Sequence, residues 1–502
     1  MPPLPGFCGA TYQAISPNID AELAMNIFCE RSESAGAKTP IALIMAPGKR
    51  LFATLPEAGV SSLYSVNGRT FAAGSQLYEI AANGTKTVRG SLGGTQPLRP
   101  CQIFANETQI LCLNNGNLYV LTLATNAFAA VNMAQLQGGA NSVAQIGFAD
   151  GYFFAWFLNT HTFQMSALED GTTWSGLDVA TVSLFPDNFV SMICDHREAW
   201  FFSGKKSSGY YNAGAGFPPY IPIQGAFAEF GAGAMAATVQ ADNTICWIGQ
   251  DERGIGVAYR LNGYSEQRIS THAVEFAWQA YEKTFPGTIA GARAFSYQED
   301  GHTFWEIYFP AANATWVYDF STQLWHQRGA WNAVSGTYDA DHAQSHTFNF
   351  GKHLVGDWAS GNIYEQSTAI YTDNDGILRW VRRSPTLNKD NKWIYFSELE
   401  IDIQPGQGPI PALTSDGLPL AADGSNARGP QLMLRWSNDG TKTWSSTYFL
   451  DCGQAGEYDF RARKIQLGRA RKRVWELSGS DPIPWRIANA YVEASESMEA
   501  AS

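Results

Sequence analysis

The chain has 502 residues, 45% of them hydrophobic and only 16% charged, with a net charge of −12 at neutral pH. That length exceeds the roughly 250–300 residues at which one core stops growing, so several units are expected, and the composition excludes a disordered chain. The acidic balance excludes gripping nucleic acid through overall charge, although a channel wall that lets DNA slide is well served by weak repulsion of phosphate.

The opening MPPLPGFCGA lacks the basic and apolar regions of a secretory signal and reads as an extended Pro/Gly arm. No apolar run approaches the ~18 residues needed to cross a bilayer. Aromatics make up 13% of the chain and glycines number 48, which points to short strands joined by tight turns. From residue 60 to residue 370 one pattern recurs, a polar turn followed by an aromatic strand. Asn67-Gly68 leads into Arg69-Thr70-Phe71, Asn115-Gly116 into Leu118-Tyr119-Val120, and Asp150-Gly151 into Tyr152-Phe153-Phe154. His196-Arg197 precedes Ala199-Trp200-Phe201-Phe202, and Asp242-Asn243 precedes Ile245-Cys246-Trp247-Ile248. Asp300-Gly301 and Gly351-Lys352 open the last two runs. Such turn residues supply positive φ cheaply, and their spacing suits propeller blades, which repeat every ~40–50 residues. Thr315-Trp316-Val317-Tyr318-Asp319-Phe320 followed by Leu324-Trp325 has a kelch-like cadence. An irregular set of β-meanders is the plainer reading of the same turns.

Residues 404–430, rich in Pro, Gly, Ala and Asp, read as a long loop between two strands. The fold class is thus all-β, a β-propeller of six or seven blades with an additional β-sandwich-like domain built from the chain ends. The expected limits are 1–55 for an N-terminal arm and strands joining the platform, 56–385 for the propeller, 386–495 for the C-terminal β-domain and 496–502 for a flexible tail.

Chemistry is sparse. Ser437-Asn438-Asp439-Gly440-Thr441-Lys442-Thr443-Trp444 resembles an Asp-box turn, with Thr441 where a Gly is usual, and Ser166 to Trp174 is a shifted relative. That box is a fold element. A sialidase would also need an arginine cluster, a Tyr nucleophile and an acid, and no spacing singles these out. His342 and His346 stand four apart but read as a loop entering a strand, where that spacing does not make a metal site. Asp195-His196 has no placed nucleophile, and no phosphate-binding loop occurs. The seven cysteines are odd in number with no CxxC, which suits reduced thiols and assembly in a reducing cytoplasm. No catalytic residue, cofactor or metal is expected. The sharpest charge feature is RARKIQLGRARKR, with Arg461, Arg463, Lys464, Arg469, Arg471, Lys472 and Arg473 as a candidate docking interface. On a strand, Arg461 and Arg463 share a face, and Arg469, Arg471 and Arg473 form a second stripe beyond Gly468. A solvated strand face is the competing reading; contact with an acidic neighbour or DNA phosphate is the functional one.

Leu434-Arg435-Trp436-Ser437-Asn438-Asp439-Gly440, Gly456-Glu457-Tyr458, Arg461-Ala462-Arg463, Leu467-Gly468-Arg469-Ala470-Arg471 and Val474-Trp475-Glu476-Leu477 carry a resemblance. So do Asp195-His196-Arg197-Glu198, Asp251-Glu252-Arg253-Gly254, Arg268-Ile269-Ser270-Thr271-His272, Leu324-Trp325-His326, Pro17 to Glu30 and Ala46-Pro47-Gly48. Together they resemble the packaged-DNA stabilisation proteins, the tail hub or nozzle subunits of short-tailed bacteriophages. Phe28-Cys29-Glu30 stands where Tyr-Pro-Glu is expected, and Asn438 and Thr441 replace a commoner Asp and Gly. The resemblance implies a structural subunit of the virion tail, assembled in the host cytoplasm as a sixfold homo-oligomeric ring below the portal and head–tail adaptor. It implies retention of packaged DNA, an exit channel without sequence-specific binding, and docking of tail fibres, tailspikes or a needle. The alternative is a glycan-binding or glycan-cleaving propeller adhesin of a phage tail, and a kelch-type scaffold is a third reading.

Overall fold

A computed structural model describes every residue except 94–98, 183–186, 215, 217, 251–254, 408–411, 414–418, 421–428 and 497–502. Most of the expected 404–430 loop therefore lies outside the described residues, as does Asp251-Glu252-Arg253-Gly254.

Seven antiparallel sheets form seven blades. They span 62–91, 102–130, 143–181, 189–228, 231–268 and 293–328, and the seventh joins 343–367 to the N-terminal strand Gly48–Thr54. Gly48–Thr54 pairs antiparallel with Asn362–Ser367, so the two ends of the propeller sequence close the ring within one blade. Gly48 permits this approach, because a Cβ there would sit 2.3 Å from the Ile370 carbonyl oxygen. The first strands of neighbouring blades touch around the axis. Each of the seven blade interfaces holds its own apolar cluster, and an eighth fills the second domain. Among the largest fully buried side chains are nine tryptophans, five of them in the blades: Trp156, Trp200, Trp247, Trp305 and Trp325. A single blade would leave such rings wet on both faces; radial stacking buries them.

All seven polar turns read from the sequence take positive φ, from Asn67 at 49° to Gly351 at 71°. Six of them join the first and second strands of a blade and so lie on one face of the propeller. Asn115-Gly116 instead joins the second and third strands of the second blade, where Asn106-Glu107-Thr108 makes the equivalent turn. The turns are stitched to one another. Asn349 Nδ2 donates to Gly68 O at 3.0 Å, Asn67 Nδ2 to Glu107 O at 3.0 Å, and Arg197 pairs with Asp150.

The strand-rich reading omits one helix, His272–Thr284, which packs Val274 and Trp278 between the fifth and sixth blades. Thr271 caps its N-terminus and Ala273, Val274, Ala277, Trp278 and Tyr281 make a helical apolar stripe.

The second domain is a two-layer β-sandwich drawn from both chain ends. One layer orders Ile27–Arg31, Ile41–Met45, Arg486–Glu496, Ile394–Ile403 and Ala462–Ile465. The other continues the sixth blade outward through Ala21–Met25, Trp380–Arg383, Lys472–Gly479, Gln431–Ser437 and Tyr448–Asp451. Strand pairing cuts across the limits expected at 55/56 and 385/386, since Gly48–Thr54 pairs inside the propeller and Trp380–Arg383 inside the sandwich. Arg382 fastens the N-terminal arm: its guanidinium donates to the carbonyls of Gly6 and Ala10 at 2.8 and 2.9 Å and to Glu22 at 2.7 Å. No helix among the described residues is long and apolar enough to cross a membrane.

Candidate docking interface

The basic segment crosses the edge of the sandwich. Ala462–Ile465 and Arg469–Ala470 pair with Ile394–Ile403 in one layer, and the chain then enters the other layer as Lys472–Gly479. Alternation on the first stretch is as expected: Ala462 is buried, while Arg461, Arg463 and Ile465 are exposed. The acids opposite were not singled out by sequence. Glu400 accepts from Arg461 Nε at 2.8 Å, and Glu398 from Arg463 Nη1 at 3.4 Å. The Arg461 and Arg463 side chains are 54% and 55% exposed against 19% and 24% for the two carboxylates, so the cations form the outer skin. Hydrogen bonding from Arg461 holds the Glu400 carboxyl below its ordinary value. The signal was available as two acids and two arginines at the same two-residue spacing.

Arg469 and Arg471 both lie over Trp393, at 4.8 and 5.2 Å from the ring centre, and Arg469 also reaches Tyr395 at 5.9 Å. Lys464 sits 4.4 Å over Tyr448, and Lys472 turns toward Asn18 of the N-terminal arm. Arg473 corrects the sequence reading. The change of layer at Arg471 resets the alternation, so Arg473 is only 1% exposed and does not continue the outer stripe. It is packed against Phe396, Trp436 and Trp475, and donates to Asn438 Oδ1 and Leu467 O, both at 2.8 Å. Burial lowers its pKa to about 10. Its role is to hold the neighbouring turn in place.

That turn is the Asp-box. Asp439 Oδ1 accepts from the amides of Lys442 and Thr443, both at 3.0 Å, and from Ser437 Oγ at 2.7 Å. Thr441 takes φ +69°, which explains why glycine suits the position. The Trp444 ring is approached by the guanidinium groups of both Arg383 and Arg435, at 5.1 and 4.6 Å. The histidines likewise have structural partners: His346 stacks on His353, and His196 pairs with Asp195 at 2.9 Å and with Asn243 at 2.8 Å. Among the described residues no three His, Cys, Asp or Glu side chains are grouped to hold a metal. All seven cysteines are free, and burial raises their thiols, Cys29 to about 12.

A recess lies on the turn face of the propeller. Asp242, Glu299, Asp300, Phe348 and His353 line a cavity of about 870 Å³ between the fifth, sixth and seventh blades. At the axis, Tyr64, Phe104, Ile146, Met192 and Phe295 from first strands, with Met235 from the turn before Val239–Ala241, surround a smaller space of about 280 Å³.

Two family models cover this architecture from one end to the other. The model described as bacteriophage P22 Gp10, beta-propeller, matches residues 14–371, and that described as bacteriophage P22 Gp10, beta-sandwich, matches 379–495. The chain belongs to the P22 Gp10 family. It is therefore a phage tail-hub protein of the packaged-DNA stabilisation type, with the propeller and sandwich in the order that the two models define. No individual curated protein matches it. Among solved structures it is similar to the extracellular domain of the one-component system BT4673 from B. thetaiotaomicron, at 12% identity and a TM-score of 0.42, covering 86% of this chain and 58% of that one. It is also similar to PorZ, a surface component of the type-IX secretion system of Porphyromonas gingivalis, at 10% identity and a TM-score of 0.38, covering 69% and 44%. The chain spans less than two thirds of either neighbour, and nothing about function passes from likenesses so slight.

Proposed function

We propose that this P22 Gp10-family chain builds the wall of a phage tail channel as a sixfold ring below the portal and adaptor. In that position it retains packaged DNA, lets it pass at ejection without reading its sequence, and offers its outer surfaces to tail fibres, spikes or a needle. The work is multivalent docking of β-surfaces, with no bond chemistry, and many modest contacts add through closed symmetry. The observation that carries the reading is the match of both domains, 14–371 and 379–495, to one tail-hub family. The shared sheet supports it mechanically, because the sandwich continues the sixth blade through the pairing of Met25 with Gln327 and cannot swing without breaking it. A net charge of −12 suits a wall past which phosphate must slide. Assembly before export from the host cell fits seven free thiols.

The test is imaging of the virion together with a deletion. The expected result is six copies in the tail, and filled heads that lose DNA when the chain is absent. Particles that keep their genome without it, or a chain found outside the tail, would refute the reading.

A further inference from the structure

We propose that the arginine–tryptophan ridge of the sandwich seats on the acidic turn face of the propeller of a second copy, joining copies head to tail. The inference rests on the ring reading above and names the surfaces that meet.

The ridge is placed for contact with a neighbour. Five strand steps separate the last strand of the sixth blade from the edge strand Tyr448–Asp451. At about 4.8 Å per step this edge stands roughly 24 Å beyond the propeller rim. Ala462–Ile465, the edge of the other layer, lies beside it. The ridge is also chemically open. Arg469 and Arg471 both lie over the Trp393 ring, and among the described residues neither guanidinium forms an ion pair with a carboxylate. A guanidinium over an aromatic ring keeps N–H groups for a bidentate carboxylate. Phe449 and Ile465, 62% and 52% exposed, add an apolar margin that suits a protein surface better than a phosphate backbone.

The chain itself carries the complement. Asp242, Glu299 and Asp300 line the cavity between the fifth, sixth and seventh blades, with Phe348 57% exposed at its side. Glu299 is only 9% exposed. One of its oxygens accepts from the Thr368 amide at 2.8 Å, while the other is buried and makes no hydrogen bond of good geometry among the described residues, and burial raises its pKa. A guanidinium seated in the recess offsets part of that cost through its charge, without touching the buried oxygen. Opposite charges at different ends of one chain make a heterologous contact, which repeats from copy to copy and closes a ring when the rotation allows.

The test uses the full-length chain with two sets of substitutions. R469E/R471E reverses the ridge. D242N/Q298K/E299Q/D300N reverses the face, replacing three acids by one lysine, with asparagine at 242 and 300 because both hold φ near +50°, which asparagine tolerates. Each variant then meets its own like charge, so self-association followed by sedimentation should weaken by at least about tenfold. An equimolar mixture should recover rings of alternating copies, since the reversed ridge fits the reversed face. Melting temperatures within a few degrees of wild type establish that both variants fold. Rings formed by either variant alone at wild-type concentrations, or a mixture that stays monomeric, would overturn the inference while leaving the ring itself standing. A reversed ridge that loses only DNA or fibre binding would do the same. A wild-type chain that is monomeric in the virion would overturn both.

Discussion

Two interfaces of the propeller are built on different principles. Between the third and fourth blades, Phe163 stacks on Phe201 at 4.5 Å and Phe189 on Phe201 at 5.0 Å, with Tyr210 edge-on to Phe201 at 5.5 Å. Between the sixth and seventh blades, beside the strand that closes the ring, an ionic cluster adjoins the apolar one. Arg328 donates to Glu306 at 3.0 Å and to the Pro47 carbonyl at 2.8 Å, and Lys49 pairs with Asp341 at 2.5 Å. All four charged side chains are at most 4% exposed. Burial pushes the Glu306 carboxyl up to about 7. Burial also raises Asp341, but Lys49 and Arg328 outweigh it and hold that carboxyl well below the usual range. The difference follows from sequence distance. Neighbouring blades find each other locally, and an apolar seam accepts any partner of suitable volume. The closing strand comes from residues 48–54 and must be the correct one. A seam with buried charges rejects every strand that does not bring Lys49, because a misfit leaves a charge without a partner.

The contrast can be broken at its strongest point. Arg328→Ala strands Glu306 and removes the link to Pro47, with an expected loss of about 5 kcal/mol in denaturant unfolding. The paired change Arg328→Met with Glu306→Leu should recover most of that loss, since it removes both charges. If the double variant is as unstable as the single one, the seam is held by shape rather than by charge pairing. Phe201→Ala, in the aromatic seam, is expected to cost about 3–4 kcal/mol through lost burial and a residual cavity. Its effect should not depend on salt or on pH between 5 and 9, which a melt series checks.

A third test uses two histidines of the sixth blade, both against Phe28 at 5.1 and 5.9 Å. His326 is fully buried without an acid partner, and desolvation lowers it to about 3. His302 is bound at both ring nitrogens, to Asp319 at 2.9 Å and to Glu30 at 2.6 Å. Desolvation lowers it, but the two carboxylates outweigh that and raise it from 6.5 to about 9. A pKa raised by folding gives stability that is complete below 6.5 and lost as pH rises through 9. Glu30 is 43% exposed, so water screens part of the pair. The expected loss between pH 6.5 and pH 9.5 is about 1–2 kcal/mol. His302→Gln should flatten the curve over that window; an unchanged slope would show that other groups titrate there.

Much of this was legible in the sequence, and the failures have physical causes. The seven turns were readable because Asn, Asp and Gly carry the cost of positive φ, a local property. The partnership of Gly48–Thr54 with Asn362–Ser367 was not, because strand pairing over 300 residues leaves no periodic mark. The helix His272–Thr284 has a capped start and a 3.6-residue stripe, but its Phe, Trp and Tyr residues match the aromatic content of the strands around it. At the ridge, alternation placed Arg461 and Arg463 correctly and failed at Arg473, where the strand changes layers. Trp393 was invisible as a site residue because it joins the arginines only through folding.

The smallest effect is expected where an arginine and a glutamate meet with water at hand. Arg69 bridges the first and second blades, donating to Glu79 at 2.8 and 2.6 Å, to Leu123 O at 2.8 Å and to Asn126 Oδ1 at 2.6 Å. Each arginine makes four side-chain hydrogen bonds, two of them to a carboxylate for Arg69 against one for Arg328, so a ranking by bonds to charged groups would make Arg69 the more important residue. The physical difference is solvent. The Arg69 and Glu79 side chains are 23% and 19% exposed against 1% and 0% for Arg328 and Glu306, and Glu79 keeps Arg89 at 2.6 Å when Arg69 is removed. Arg69→Ala should therefore cost no more than about 1 kcal/mol, and less in high salt. A loss as large as that of Arg328→Ala would mean that bridging two blades, rather than exclusion of water, is what gives an arginine its weight in this ring.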